Sequence, residues 1–182
     1  MNDRVCRDSD RLRNPDRLAR LEIGRVADLC LEDTRIRTVL DVGTGTGVFA
    51  ETFAGRGREV TGIDIQDAML EAARAAVPGV RFLRASSESL PFEDGSFDLA
   101  FMGLVFHETD DPAKTMAEAF RVSARTTAIL EWPHAEQPFG PPVADRLTEA
   151  QVRTFGREAG FAHVRVIPLT VLVLYLFDKR TE

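Results

Sequence analysis

The stretch over residues 38–50, Thr-Val-Leu-Asp-Val-Gly-Thr-Gly-Thr-Gly-Val-Phe-Ala, most constrains what this chain can fold into. Its apolar start predicts a buried strand, and the apolar residues after the glycines predict a helix. The three glycines between them form a loop with few side chains, which lets the backbone approach a ligand closely. The N-terminus of a helix adds unpaired N–H groups. This order of elements predicts a site for the polar end of a nucleotide-like ligand.

Two aspartates strengthen that interpretation. Asp41 lies two residues before the first glycine, and Asp64 stands at the end of the next apolar run, Val60-Thr-Gly-Ile-Asp-Ile65. A carboxylate at the tip of the second strand can accept hydrogen bonds from ribose hydroxyl groups. The alternative is a flavodoxin-like or regulatory α/β domain in which the glycines only make a tight turn. The length of the strand–helix–strand unit favours the ligand site.

Strand-like and helix-like segments alternate beyond this unit, which predicts a parallel sheet covered by helices on both faces. A helix capped by Asn14 precedes the first strand and extends to Cys30, and a later helix has Thr148 as its cap and ends at Gly160. The remaining helices are predicted over 46–55, 67–76 and 112–123, and the first five strands over 38–42, 59–64, 80–84, 97–105 and 127–132.

The C-terminal segment over 163–177 contains two β-like runs. No crossover helix fits between them, so the last strand, from about 171 to 177, must be antiparallel. The sequence therefore predicts an α/β fold with a Rossmann-like, doubly wound, seven-stranded sheet that is mostly parallel and has a C-terminal antiparallel strand. We expect one domain over 1–182, with a charged lead-in over 1–14.

Composition narrows the classes of partner. The net charge of −6 argues against a nucleic-acid substrate, and no apolar run approaches the length of a membrane span. The two cysteines, Cys6 and Cys30, do not make a disulfide scaffold, and Cys30 falls in a helical apolar pattern that predicts a buried thiol. The charged N-terminus has no signal-peptide core, so we expect a cytoplasmic protein. The oligomeric state is left open.

The chain resembles a known family over nearly its whole length. Asp41-Val-Gly-Thr-Gly-Thr-Gly47 and Asp64 resemble motif I and its partner acidic residue in class I S-adenosylmethionine-dependent methyltransferases. The run Leu90-Pro-Phe-x-x-x-x-Phe-Asp98, the segments Leu104-Val-Phe-His107 and Ala119-Phe-Arg-Val122, and the terminal hairpin are similar to the small-molecule, methyltransferase type 11-like branch.

The resemblance implies S-adenosyl-L-methionine as the cofactor. In the family the glycine loop holds the methionine part, the acidic residue binds the ribose, and residues after it pack on the adenine. Ser86 stands where the family has an acidic residue, so the adenine contact rests partly on the backbone of Ser87. The implied cofactor-binding residues are Asp41, Gly43, Thr44, Gly45, Gly47, Asp64, Ile65, Met69, Ser86 and Ser87.

Methyl transfer requires mainly alignment of the acceptor with an electrophile that the cofactor already activates. A general base is needed only if the acceptor must lose a proton. The candidate catalytic residues are His107 and Glu131, because they follow the fourth and fifth strands, where open α/β sheets place their ligands. Their structural alternatives are a packing histidine and an ordinary strand-end charge. The ligand spacing predicts no metal site.

The leading hypothesis is an enzyme that methylates a small molecule. The alternatives are a cofactor-binding regulatory or accessory domain without turnover and a nicotinamide-dependent oxidoreductase, although Val48 stands where the dinucleotide fingerprint has its third glycine. We expect the acceptor to lie against His107, Glu131 and the proline-rich loop over 133–147. The N-terminal segment over Arg11–Leu18 is expected to close over the cofactor.

Overall fold

The computed structural model describes residues 12–179. Seven strands form one sheet in the order β3-β2-β1-β4-β5-β7-β6. Six of them run in the same direction, and β7 is antiparallel to both of its neighbours. The predicted fold class is therefore confirmed. The strands are β1 Thr38–Val42, β2 Glu59–Asp64, β3 Arg81–Arg84, β4 Phe97–Gly103, β5 Ser123–Glu131, β6 His163–Pro168 and β7 Val173–Asp178.

Helices cover both faces of this sheet. Apolar residues of α2, α3 and α4 pack on one face, and those of α5 and α6 pack on the other. β7 is buried along most of its length, as its apolar sequence predicts for a strand between two neighbours. The described helices are α1 Pro15–Arg20, α2 Ile23–Cys30, α3 Val48–Gly55, α4 Asp67–Ala76, α5 Pro112–Val122 and α6 Glu149–Ala159, with 3₁₀ turns at Phe106–Glu108 and Val143–Asp145.

The predicted caps are present. The Asn14 side chain accepts backbone N–H groups of the first turn of α1, and Thr148 and Gln151 form a capping box at the start of α6. Gly160 ends α6 in a left-handed conformation, with a φ of 108°. These local signals could be located from the sequence because each depends on residues within one helical turn.

The prediction of one continuous helix from Asn14 to Cys30 is wrong. The chain bends at Glu22, which has a left-handed φ of 47° and separates α1 from α2. The Glu22 carboxylate holds the bend, because it accepts the backbone N–H of Thr170 at 2.6 Å and pairs with Arg25 at 2.8 Å. A contact with a residue so distant in sequence leaves no local signal.

Several predicted boundaries also shift, most of them by one or two residues. β4 ends at Gly103 and does not reach 105, because Leu104 has a φ of 61° that a strand cannot continue through. β5 begins at Ser123, earlier than 127, and that residue therefore does not belong to α5. Helix α3 begins at Val48, since Gly47 has a φ of 79°.

Cys30 is a buried free thiol, as predicted, and burial raises the pKa of that thiol. Cys6 lies outside the described residues. None of the helices within 12–179 has the length and apolar character needed to cross a membrane.

Candidate functional site

The glycine loop follows β1 and is held from two sides. Thr44 donates its backbone N–H to the Ile63 carbonyl at 2.8 Å, and Gly45 donates its own to Oδ2 of Asp64 at 2.9 Å. From the opposite side, the Arg13 guanidinium donates to the Thr46 carbonyl through Nη2 at 2.7 Å and Nε at 3.2 Å. The loop is therefore tied both to the tip of β2 and to the N-terminal segment.

Gly43 brings the loop backbone against the end of β4. Its φ is 66°, and a Cβ at this position would lie only 2.4 Å from Cγ2 of Val105. No other residue fits here without moving one of the two segments. The loop and the residues after β4 therefore form neighbouring walls of one cavity.

That cavity opens at the carboxyl ends of β1, β2 and β4. Of the ten predicted cofactor-binding residues, eight line it: Asp41, Gly43, Thr44, Gly45, Asp64, Ile65, Met69 and Ser87. Gly47 does not line it and instead allows helix packing, since a Cβ there would lie 3.1 Å from the Val77 side chain. The Ser86 side chain is directed into a local turn, where its hydroxyl accepts the Glu88 N–H at 3.2 Å.

The cavity wall also contains residues outside the ten predicted ones. Arg17, within the segment predicted to close over the cofactor, and Leu21, directly after α1, both line it. Glu88, Glu108 and Asp110, which sequence analysis did not assign to the cavity, add carboxylates at the rim. Glu88 lies next to Ser87 in sequence, so its proximity to a predicted site residue was the one available signal.

Burial dominates the electrostatics of the two central aspartates. It raises the pKa of Asp41 to about 7, although the Thr44 hydroxyl donates to the Asp41 carboxylate at 2.6 Å and opposes the shift. Burial also raises the pKa of Asp64, against hydrogen bonds from the backbone N–H groups of Gln66 and Gly45. Within the described residues the cavity is lined by five carboxylates and one guanidinium, so it favours a ligand that carries positive charge.

The donors and acceptors fit a nucleoside with a cationic substituent. Each carboxylate oxygen of Asp64 accepts one backbone N–H, from Gly45 or Gln66, at 2.9 Å. Each oxygen retains a further lone pair, which can accept a ribose hydroxyl. Ile65 is half exposed beside the buried Met69 and presents an apolar surface suited to a flat base.

The structure brings His107 and Glu131 together, but behind the cavity wall. Nδ1 of His107 lies 2.8 Å from Oε2 of Glu131, and the His107 and Trp132 backbone N–H groups also donate to this carboxylate. Both side chains are almost fully buried, and neither lines the cavity. Nε2 of His107 lies 4.0 Å from Oε1 of Glu108, which does line it. The catalytic role of the pair stays a prediction.

The proline-rich loop over 133–147 is held by a buried arginine that sequence analysis did not single out. The Arg146 guanidinium donates to the carbonyl oxygens of Pro133, Ala135, Phe139 and Pro141, at 2.7 to 3.1 Å. His134 belongs to the same loop, where its Nδ1 lies 3.0 Å from the Arg146 carbonyl oxygen. The loop borders a second cleft, between Trp132 and α1.

Comparison with known proteins agrees with this geometry. Residues 40–129 match a family model described as a methyltransferase domain. A relative from Mycobacterium sp. (strain JLS), named an uncharacterized methyltransferase, is 42% identical over 105 residues, which cover 57% of this chain and 42% of the relative. A demethylmenaquinone methyltransferase of Thermus thermophilus is 38% identical over 117 residues, covering 60% and 53%. The chain spans about half the length of the curated relatives it matches.

A solved structure extends the likeness to almost the whole chain. The crystal structure of a SAM dependent methyltransferase from Aquifex aeolicus superposes with a TM-score of 0.80 at 28% identity. The superposition covers 93% of this chain and 96% of that one, a much larger share of this chain than the residues that match the family model.

Proposed function

We infer that this chain, which belongs to the class I S-adenosylmethionine-dependent methyltransferases, transfers a methyl group from that cofactor to a small-molecule acceptor. The observation that carries the proposal is the acidic cavity in which the glycine loop meets Asp64. When bound, S-adenosylmethionine supplies a methyl group on a cationic sulfur, which an acceptor atom displaces to leave S-adenosylhomocysteine.

The residues of the cavity divide this task. We assign the ribose to Asp64, the methionine part to Asp41 with the backbone of residues 43–45, and the adenine to Ile65, Met69 and Ser87. Ser86 contributes through the turn that its hydroxyl stabilises, and Gly47 through the close approach of α3 to α4. These roles follow from position at the wall and from hydrogen-bonding capacity.

His107 and Glu131 serve in this proposal as a positioning pair. Their buried hydrogen bonds fix the turn Phe106–Glu108, and that turn presents Glu108 to the cavity. Proton removal from the acceptor is left to solvent or to the acceptor's own acidity, because no imidazole in the described part of the chain reaches the cavity wall. His107→Asn tests this assignment: a positioning role predicts lower turnover together with lower thermal stability. A loss of turnover relative to wild type that grows as pH rises, as expected when a general base is removed, contradicts it if stability is unchanged.

Several features favour a small acceptor. The Thermus thermophilus relative is named for demethylmenaquinone, and the net charge of −6 opposes a nucleic-acid substrate.

We extend the proposal to a single domain over 1–182, since one sheet contains all the described strands. We also propose a cytoplasmic location, on the ground that Cys30 is a buried free thiol.

Calorimetric titration tests the cofactor assignment. Purified protein is titrated with S-adenosylmethionine, S-adenosylhomocysteine and NADH, and we expect binding of the first two alone. Binding of NADH instead identifies the oxidoreductase alternative. If the first two bind and radiolabelled S-adenosylmethionine labels no compound in a small-molecule acceptor panel or extract, the regulatory or accessory domain becomes the better interpretation.

A further inference from the structure

We propose that the second cleft binds the distal part of the methyl acceptor, and that this part carries a flat ring and an anionic group. We call it the aromatic cleft, and the residues that define it here are Arg17, Arg20, Leu21, Trp132, Phe139 and Gly140. The inference rests on the proposed function, because it names the substrate class of the same enzyme.

The position of the aromatic cleft suits an acceptor. It shares Arg17 and Leu21 with the cofactor cavity, so the two spaces adjoin along α1. The wall of the aromatic cleft opposite α1 contains Trp132, which directly follows β5. Trp132 therefore lies at the carboxyl edge of the sheet, where open α/β folds bind their ligands. A molecule that fills the aromatic cleft therefore points its other end toward the cofactor cavity.

The aromatic surface is held in place before any ligand arrives. The ring centroids of Trp132 and Phe139 are 6.1 Å apart, with the ring planes inclined at 53°. Gly140 lies against the indole, since a Cβ at this position would be 2.9 Å from the ring. The Arg146 guanidinium lies 5.7 Å from the same ring and holds the loop through its four carbonyl contacts. Rings fixed in this way bind another flat ring at low entropic cost.

The charge of the aromatic cleft is opposite to that of the cofactor cavity. The lining of the aromatic cleft contains two guanidinium groups, from Arg17 and Arg20, and one carboxylate, from Asp16, so its net charge is positive. Asn14, which also lines the cleft, is neutral. Arg20 lies 5.2 Å above the Phe139 ring, and within residues 12–179 it has no ion pair with a carboxylate. It is therefore placed to meet an anion at the edge of a bound ring.

The only tryptophan of the chain makes this proposal directly measurable. Trp132 is the single tryptophan, so intrinsic fluorescence excited at a tryptophan-selective wavelength reports on the aromatic cleft. The full chain is titrated without cofactor with 3-phenylpropanoate, 3-phenylpropanol and octanoate. We expect the first to change the emission and to bind about tenfold more tightly than either of the others, equivalent to about 1.4 kcal/mol.

Two variants and one control locate the recognition. Arg20→Gln should remove most of the preference for 3-phenylpropanoate over the alcohol, and Phe139→Leu should weaken both ring compounds alike. Arg35→Gln makes the same charge change at an exposed arginine paired with Asp33, and should leave all three affinities unchanged.

The outcomes separate the cleft from the proposed function. Equal binding of octanoate overturns ring recognition, equal binding of the alcohol overturns the anionic group, and unchanged emission with all three compounds overturns the site. S-adenosylhomocysteine is titrated calorimetrically against the same proteins. If S-adenosylhomocysteine fails to bind while 3-phenylpropanoate binds, the methyltransferase proposal is contradicted. The aromatic cleft is then still supported as a binding site.

Discussion

Substitution of Gly43 by alanine should damage both the stability of the protein and its affinity for the cofactor. Gly43 has a φ of 66°, and the added Cβ would lie 2.4 Å from Cγ2 and 2.7 Å from Cβ of Val105. The chain offers a matched control in Gly57, which has a φ of 74° but no heavy atom within 4 Å of its ideal Cβ. The two alanine variants therefore share the backbone penalty and differ in the steric one.

The expected magnitudes follow from these two terms. An alanine in the left-handed conformation destabilises the folded state by about 1–2 kcal/mol. Replacing glycine also lowers the conformational entropy of the unfolded chain, which stabilises the protein by about 0.4–1 kcal/mol. Gly57→Ala should thus lower the free energy of unfolding by about 0–1.6 kcal/mol. Gly43→Ala adds overpacking of about 1–3 kcal/mol, for a total of about 1–4.6 kcal/mol. In a chain of this size, each kcal/mol lowers Tm by about 2–4 °C.

Differential scanning calorimetry measures the Tm values, and isothermal titration with S-adenosylhomocysteine measures affinity. We expect Gly43→Ala to weaken binding by about tenfold or more, because either the glycine loop or the segment at Val105 must move, and both border the cavity. Gly57→Ala should bind normally. Equal losses of Tm in the two variants, with equal affinities, would show that the loop does not press against Val105 and would refute the reasoning.

Three further predictions concern the same cavity. Asp64→Asn should weaken S-adenosylhomocysteine binding by about 1.5–3 kcal/mol in calorimetry, since a charge-assisted acceptor is lost; an unchanged affinity in the folded variant removes Asp64 from the site. Because the pKa of Asp41 is raised to about 7, the folded state binds one more proton than the unfolded state between about pH 4 and pH 7. The free energy of unfolding of wild type should therefore fall relative to that of Asp41→Asn as pH rises through this range. Parallel stability curves contradict that linkage. Amide hydrogen exchange over residues 12–22 should slow when S-adenosylhomocysteine binds; Arg11 of the predicted closing segment lies outside the described residues.

The glycine loop and its partner aspartate could be located from sequence because their geometry follows from local pattern. A buried parallel strand must deliver its last residues to the carboxyl edge of the sheet. Asp64 ends β2, and Asp41 is the last residue but one of the neighbouring β1. Their proximity requires only that β1 and β2 pair in register, which the strand–helix–strand unit enforces. The same logic placed His107 and Glu131 together.

The pattern could not tell which side of the cavity wall a residue occupies. His107 and Glu131 follow their strands as expected, yet the positive φ of Leu104 ends β4 early and the imidazole turns into the interior. The role of Arg146 was equally hidden, since its partners are carbonyl oxygens, which every residue supplies. Contacts to backbone carbonyl oxygens therefore leave no signature in the residue types of the partners.

Helix α1 lies between the two proposed ligand sites, and we expect its weak anchoring to couple them. None of its six residues is buried, so few packing contacts oppose its local opening. Arg17 nevertheless borders both spaces, as does Leu21 directly after the helix. A ligand in either space orders the same short helix. The second ligand then binds without the entropic cost of ordering that helix. Saturation with S-adenosylhomocysteine should therefore tighten 3-phenylpropanoate binding, and by thermodynamic reciprocity the converse should hold by the same factor. Equal affinities with and without the first ligand would mean that α1 is already ordered in the free protein.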